Sequence, residues 1–201
     1  MKLNKLEFFL MNNPLRALIQ EHYELKIFKK MASIKKIDIA LEIGCGNGNG
    51  TGLIKKYFNP NKIIAIDLDE KMIDIAQRKN TDASIIFKVM DASNLDFPNN
   101  HFDAIFDFGI IHHIPNWKDC LTELKRVIKK DGELILEELS LDTFSGFPGR
   151  FWKSLLSHPY EQMFSTDDFI QQLKDVGFTI NHFRKSNPMK MIKHFSLTAK
   201  G

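Results

Sequence analysis

Apolar residues along the chain fall into short dense runs, separated by segments in which they recur every three or four positions. That alternation predicts strands of a parallel sheet connected by helices. Residues 37–43 are apolar apart from Asp38 and Glu42, as suits a strand buried on both faces, and residues 62–68 and 84–90 repeat the pattern. Residues 104–108 and 133–139 read as the fourth and fifth strands. Between them, Asp69 is placed to cap a helix carrying Met72, Ile73, Ile75 and Ala76. Trp117, Cys120, Leu121, Leu124, Val127 and Ile128 trace one face of another helix, which Gly132 is expected to stop. Ser165 and Asp168 stand at capping-box spacing before a helix that ends at Gly177. Residues 178–183 and 194–199 are strand-like, the second alternating Phe195, Leu197 and Ala199 inward. The turn around Asn187 and Pro188 is too short for a crossover helix, so these two form an antiparallel closing hairpin. Leu3, Leu6, Phe9 and Leu10 lie at helical spacing before a break at Asn12, Asn13 and Pro14, which predicts two short helices over residues 3–31.

The punctuation after the first strand carries the chemistry. Glu42, Gly44, Gly46 and Gly48 alternate through the turn, and the next helix begins near Asn49 to Thr51. Glycine there lets a ligand approach the backbone without a Cβ clash and presents it to a helix N-terminus. An isolated glycine cluster fits an ordinary strand-to-helix turn equally well. The second strand, however, ends in Asp67, nineteen residues after Gly48, where a carboxylate can accept both hydroxyls of a ribose. The third strand closes on Asp91 and Ala92, and Asp91 can accept from an adenine amino group. Dinucleotide sites favour a small residue in the slot that Asn49 fills.

With an acid before the first glycine, the chain resembles the class I S-adenosylmethionine-dependent methyltransferases. It is most similar to the small-molecule type related to ubiquinone and menaquinone biosynthesis enzymes. The resemblance rests on residues 41–50, 66–69, Asp91 with Ala92, residues 95–103, His112 with His113, and residues 129–136, in that order. It covers roughly residues 36–139. It implies a Rossmann-like three-layer α/β sandwich: a mostly parallel seven-stranded sheet with an antiparallel last strand, plus helical lid elements. The implied cofactor is S-adenosylmethionine. Gly44, Gly46 and Gly48 would let its backbone neighbours close in, with Cys45 a packing position among them. Asp67 would hold the ribose, Asp91 and Ala92 the adenine, and Leu68 would pack on the adenine. Glu42 would hold the glycine loop and reach the methionine amino group, and Phe108 and Gly109 would border the methionine moiety. The implied chemistry is in-line displacement, whose leaving thioether needs no protonation. Where the acceptor must lose a proton, His112 and His113 are the candidate bases, although adjacent histidines are expected to point in different directions. Glu137 and Glu138 can orient a substrate or cap backbone. His22, Tyr23, Trp152, His158 and Tyr160 are weaker acceptor-site candidates.

Composition narrows the picture without changing it. A chain of 201 residues, 43% hydrophobic, suits one domain: a lid over 1–35, a cofactor-binding core over 36–139, an insert over 140–164, and a helix with the closing hairpin over 165–201. The aromatic stretch from Phe144 to Trp152 suits either a substrate lid or cover for the sheet edge. No apolar run approaches the roughly 18 residues of a membrane span. Glu7, Asn12, Asn13 and Arg16 interrupt any signal-peptide core, so a cytoplasmic location is expected. Cys45 and Cys120 make neither a disulfide framework nor a metal site, and the histidine pair cannot easily converge on one ion. At a helix N-terminus the Cys45 thiol would be acidified. Eight basic residues against three acids in residues 1–36, and eight against four in 143–201, leave the middle acidic. Such flanks suit a solvated face, an anionic substrate, a membrane surface or RNA. Phe108-Gly109-Ile110-Ile111 lacks the Asn/Asp-Pro-Pro-Tyr pattern of DNA-base amino methylation, and Asn49 with the final hairpin disfavours an NAD oxidoreductase. A small organic acceptor is therefore expected. A non-catalytic cofactor-binding subunit, or an RNA or protein acceptor, is the alternative. The acceptor atom and the oligomeric state are not readable from the sequence.

Overall fold

The computed structural model describes residues 13–145, 153, 159–187 and 193–201. The apolar cluster of residues 3–10, and Phe147, Phe151, Trp152, His158 and Pro188, lie outside the described residues. The chain opens with α1 (Pro14–Ile19), which runs through a π-helical stretch (Gln20–Glu24) into α2 (Leu25–Met31). There follow β1 (Ile39–Ile43), α3 (Asn49–Phe58), β2 (Lys62–Asp67), α4 (Glu70–Lys79), β3 (Ile85–Val89) and β4 (Phe102–Phe108). A 3-10 turn (Ile111–His113) leads to α5 (Trp117–Val127), β5 (Ile128–Glu138), α6 (Leu141–Phe144), α7 (Thr166–Asp175), β6 (Thr179–Ser186) and β7 (His194–Lys200).

These strands form one seven-stranded sheet in the order β3-β2-β1-β4-β5-β7-β6. Strands β1 to β5 run parallel, and β7 is antiparallel to both β5 and β6. The reversal follows from the short connection between β6 and β7. Apolar strands covered on both faces explain the two cores. On one face Phe28, Ile54, Ile73 and Ala76 from α2, α3 and α4 pack on Ala40, Ile63, Phe106 and Ile135. On the other, Cys120, Leu121 and Leu124 of α5 and Phe169 of α7 pack on Leu41, Ile105 and Leu134. The result is the expected three-layer sandwich, with the carboxyl ends of β1, β2, β4 and β5 along one edge.

The caps read from sequence are present: Asp69 accepts from the Lys71 N–H, and Ser165 and Asp168 form a capping box. Of the lid, one helical run starts at Pro14, after the expected break, and is widened by the π turn in which the Leu25 N–H bonds the Gln20 carbonyl; the helix expected before the break lies outside the described residues. Two expectations need correction. Gly132 does not stop α5, which ends at Val127; it sits inside β5, where a Cβ would come within 2.7 Å of Ile128 Cγ1 and 2.9 Å of the Asp103 carbonyl oxygen. Close approach, not capping, selects glycine there. Finally β7 does not alternate in burial, because α2 packs on the face opposite the Phe195, Leu197 and Ala199 core: Ser196 and Thr198 are as buried as those three.

Candidate active site

An elongated trough crosses the carboxyl edge of the sheet, built from two adjoining cavities that share Gly44, Asp67, Ile110 and His113. The larger is about 230 Å³. Its floor is the glycine turn. The Cys45 N–H bonds the Ile66 carbonyl at 2.9 Å, prolonging the β1–β2 ladder, and the Gly46 N–H donates to Asp67 Oδ2 at 2.8 Å. Gly44 and Gly46 have φ of +60° and +52°. A Cβ on Gly44 would strike Ile110 at 2.3 Å, whereas one on Gly46 would meet nothing within 4 Å, so the Gly46 backbone lies open on the trough. Gly48 differs. It does not line the trough but packs on α4, where a Cβ would stand 2.6 Å from Asn80 Nδ2 and 2.9 Å from Ala76 Cβ.

Asp67 lines both cavities and ties the loops together, its Oδ1 accepting from the Asp69 N–H at 2.9 Å. Burial raises its pKa against the pull of those two N–H groups. Beyond it, Leu68, half exposed at 50%, faces the smaller cavity with Met90, Ala92 and Ile114. Asp91 lines that cavity as well, and its Oδ1 accepts from the backbone N–H and hydroxyl of Ser93 at 2.8 and 2.7 Å.

At the opposite end stands Glu42. Its Oε2 accepts the Thr51 hydroxyl, which anchors α3, and burial pushes its pKa up to about 8. Gly50 makes room for it: a Cβ there would stand 2.2 Å from Glu42 Oε1, 2.9 Å from Phe108 Cδ2 and 3.0 Å from Gln20 Nε2. Phe108 and Gly109 wall this end, with the Phe108 ring stacked on Phe28 at 4.9 Å. Cys45 is buried, and burial holds its thiol well above the ordinary range; the acidification expected from a helix N-terminus is overridden. It packs in the core with Phe28, Ile54, Ile73 and Ala76.

The two histidines do not diverge; their rings lie 4.1 Å apart at 37°. His112 is buried, its Nδ1 2.5 Å from Glu138 Oε2, while His113 borders both cavities. Glu138 also accepts the N–H groups of Ile111 and Leu139, so it caps backbone rather than facing the trough. Asp107 holds the turn through the N–H groups of Gly109 and Ile110, at 3.1 and 2.9 Å. Its other oxygen has no hydrogen-bond donor of its own among the described residues and faces the Glu138 carboxyl. Burial and the facing Glu138 raise Asp107 well above its ordinary range, and burial pushes Glu138 up to about 7.

Sequence reasoning missed the roof. Asn13, Arg16, Ala17 and Gln20 of the lid line the larger cavity, as do Met72 and Lys79 of α4. Polar or small residues repeating at helical spacing on a segment whose other positions bury Leu25 and Phe28 were the available signal. Of the weaker candidates, His22 is exposed, Tyr160 packs edge-on against Phe144, and the Tyr23 hydroxyl lies 3.4 Å from His194 Nε2. Glu137 faces Ser196 and His194 rather than the trough. Among the described residues no three His, Cys, Asp or Glu could hold a metal ion.

The methyltransferase domain family matches residues 41–136, which span the glycine turn, Asp67, Asp91, the histidine pair and β5 up to Leu136. Over residues 41–136 the chain is similar to a methyltransferase domain. A demethylmenaquinone methyltransferase of Lactobacillus johnsonii is 33% identical over 139 residues, 66% of this chain and 56% of that protein. A fatty-acid O-methyltransferase of Mycolicibacterium smegmatis is 30% identical over 112 residues, 55% and 41% of the two chains. The chain thus spans about half the length of the curated relatives it matches. The crystal structure of an S-adenosylmethionine-dependent methyltransferase from Aquifex aeolicus superposes with a TM-score of 0.76 over 98% of both chains at 20% identity, which establishes the shared fold. Among the described residues no helix is long and apolar enough to cross a membrane.

Proposed function

We propose that the chain transfers a methyl group from S-adenosylmethionine to a small organic acceptor. The observation that carries this reading is the trough itself, in which the kinds of groups follow the order of the cofactor's parts. Leu68, Met90, Ala92 and Ile114 offer an apolar slot for a flat base, with Asp91 at its rim. Asp67 stands at the middle with acceptor lone pairs left for a diol, and the open Gly46 backbone lets a ligand lie flat. At the far end stand Arg16, a cation, and Glu42, a carboxyl whose ionised form a ligand ammonium would favour, as suits a zwitterionic amino acid. S-adenosylmethionine, when bound, supplies a sulfonium-activated methyl whose leaving group is a neutral thioether.

What the chain must add is orientation and dryness. Holding two reactants at near-attack geometry is worth up to roughly 7–11 kcal/mol. Phe108, Gly109 and the lid residues Ala17 and Gln20 enclose the reacting end and exclude water. For a hydroxyl acceptor, His113 is the group placed to take the proton at a ring nitrogen. His112, fixed by Glu138 and stacked on it, is the positioning residue. The lid and the 140–164 insert would choose the acceptor, and demethylmenaquinone and fatty acids, named for the relatives, point to the first acceptors to try. A cytoplasmic location accords with the two free, buried thiols of Cys45 and Cys120.

The test is calorimetric titration with S-adenosylmethionine and S-adenosylhomocysteine, followed by a turnover assay on a naphthoquinol and a fatty acid. Micromolar binding and acceptor-dependent formation of S-adenosylhomocysteine are expected. Absence of binding would end the proposal, and binding without turnover on any acceptor would favour a non-catalytic subunit.

A further inference from the structure

We propose that Arg16, carried by the lid helix, is the residue of this chain that receives the carboxylate of the bound cofactor, so that the lid itself reads the charged end of the ligand. The inference rests on the reading of the trough as an S-adenosylmethionine site and adds a residue that lies outside the matched domain segment.

Two cations line the larger cavity, Arg16 and Lys79. Lys79 is exposed, in the last turn of α4. Arg16 is the partly buried one, with its side chain 23% exposed. Its Nη1 donates to Glu24 Oε1 at 2.6 Å, and its charge also acts on the Glu137 carboxyl. A guanidinium has five N–H donors in a planar fork, so a carboxylate can still be met by the rest. Glu24, 6% exposed, holds the fork from behind, two helical turns along the lid. That contact pre-orients a side chain that would otherwise lose rotamer freedom on binding.

The neighbourhood matches a zwitterion. Gln20 stands between Arg16 and Glu24 on the lid and is clamped by Asn49, whose Nδ2 donates to its Oε1 at 2.6 Å. This leaves its Nε2 toward Gly50, across from Glu42 Oε1. An amino acid with its ammonium on Glu42 would therefore direct its carboxylate to the roof, where Gln20 Nε2 and the Arg16 fork are the donors.

The test compares S-adenosylhomocysteine with S-adenosyl-3-thiopropylamine, which keeps the amine and lacks only the carboxylate, by calorimetric titration of the full chain. The wild type is expected to prefer S-adenosylhomocysteine roughly 10- to 100-fold, the size of one or two charge-assisted hydrogen bonds. In Arg16→Met that preference should shrink to within about threefold, through loss of S-adenosylhomocysteine affinity alone. Glu24→Gln, which keeps the guanidinium, should retain most of it. Equal weakening of both ligands in Arg16→Met would reduce Arg16 to a lid-packing role and overturn the inference, as would an unchanged preference. Failure of the wild type to bind either ligand would instead remove the cofactor reading beneath it.

Discussion

Replacing Glu42 with Gln should make the protein more stable at alkaline pH and a worse binder. Glu42 is 2% exposed, and burial is the largest influence on its carboxyl, followed by the opposing Thr51 hydroxyl and the neighbouring charges of Asp67 and Asp107. A carboxyl that ionises near 4.5 in the open chain and near about 8 in the fold must be protonated to fold at neutral pH. Its contribution is neutral below pH 4.5, becomes steadily unfavourable as pH rises, and reaches its full cost above about 8. At 1.36 kcal/mol per pH unit that cost has a ceiling of roughly 5 kcal/mol, and local relaxation makes about 2–4 kcal/mol a fair expectation. Glutamine keeps the shape and an acceptor for Thr51 but never ionises. Urea unfolding followed by the fluorescence of buried Trp117 should therefore give similar stabilities for the two proteins at pH 5, with the variant ahead by about 2–4 kcal/mol at pH 8.5. Glu138 and the other raised carboxyls titrate in both proteins, so the difference isolates Glu42. Parallel stability curves would refute the reasoning, because they would mean that Glu42 is ionised in the fold at neutral pH. On the binding side the sign reverses. The ammonium of a ligand favours the ionised acid, so the variant should bind S-adenosylmethionine roughly 10-fold more weakly.

Asp67→Ala should weaken S-adenosylhomocysteine roughly 30- to 100-fold in calorimetry, since it removes acceptors and frees the Gly46 N–H; near-unchanged affinity would disprove the ribose assignment. Gly50→Ala forces a methyl into Glu42 and Phe108 and should cost about 1–3 kcal/mol in urea unfolding. His112→Ala leaves Glu138 without its imidazole partner and should lower stability by about 1–3 kcal/mol in the same assay. His113→Ala should leave the melting temperature nearly unchanged and lower kcat with the pH profile flattened, once an acceptor is in hand; an unaltered profile would deny it a proton-transfer role.

The sheet was legible because its strands are buried on both faces, which removes alternation and leaves apolar runs such as 62–66 ending in Asp67. The glycine turn was legible because its geometry tolerates few residues, as Ile110 against Gly44 demonstrates. The roof was not. Arg16, Gln20 and Glu24 read as ordinary polar positions of a surface helix, and the π turn shifts which of them share a face. Nor was the role of Glu138. It depends on the register that sets Phe108 beside Glu137, bringing the end of β5 against the turn that carries His112. Gly132 was misread because helix ends and close strand contacts call for the same residue. Where the chain prefers a residue for one local reason the sequence is readable, and where two reasons converge on one residue type it is not.

The distribution of carboxyl groups is itself an argument for where the chemistry lies. Away from the carboxyl edge, acids are paired and lowered: Lys129 and two backbone N–H groups hold Asp103, Arg126 holds Glu123, and Thr166 holds Asp142. These favour the fold above the ordinary carboxylate range and lose that contribution as pH falls through it. Along the edge, Glu42 on β1, Asp107 on β4, and Glu137 and Glu138 on β5 are buried and raised, so they oppose folding increasingly as pH rises above the ordinary carboxylate range. The two sets together favour the fold on the acid side of neutrality. Apolar side chains of similar volume at the edge would remove that penalty, since buried charges seldom repay their desolvation. Three neighbouring strands that each end in a costly acid, with Glu42 facing the trough and Asp107 and Glu138 holding its supporting turn, are better explained by what those acids do there than by the stability of the sheet.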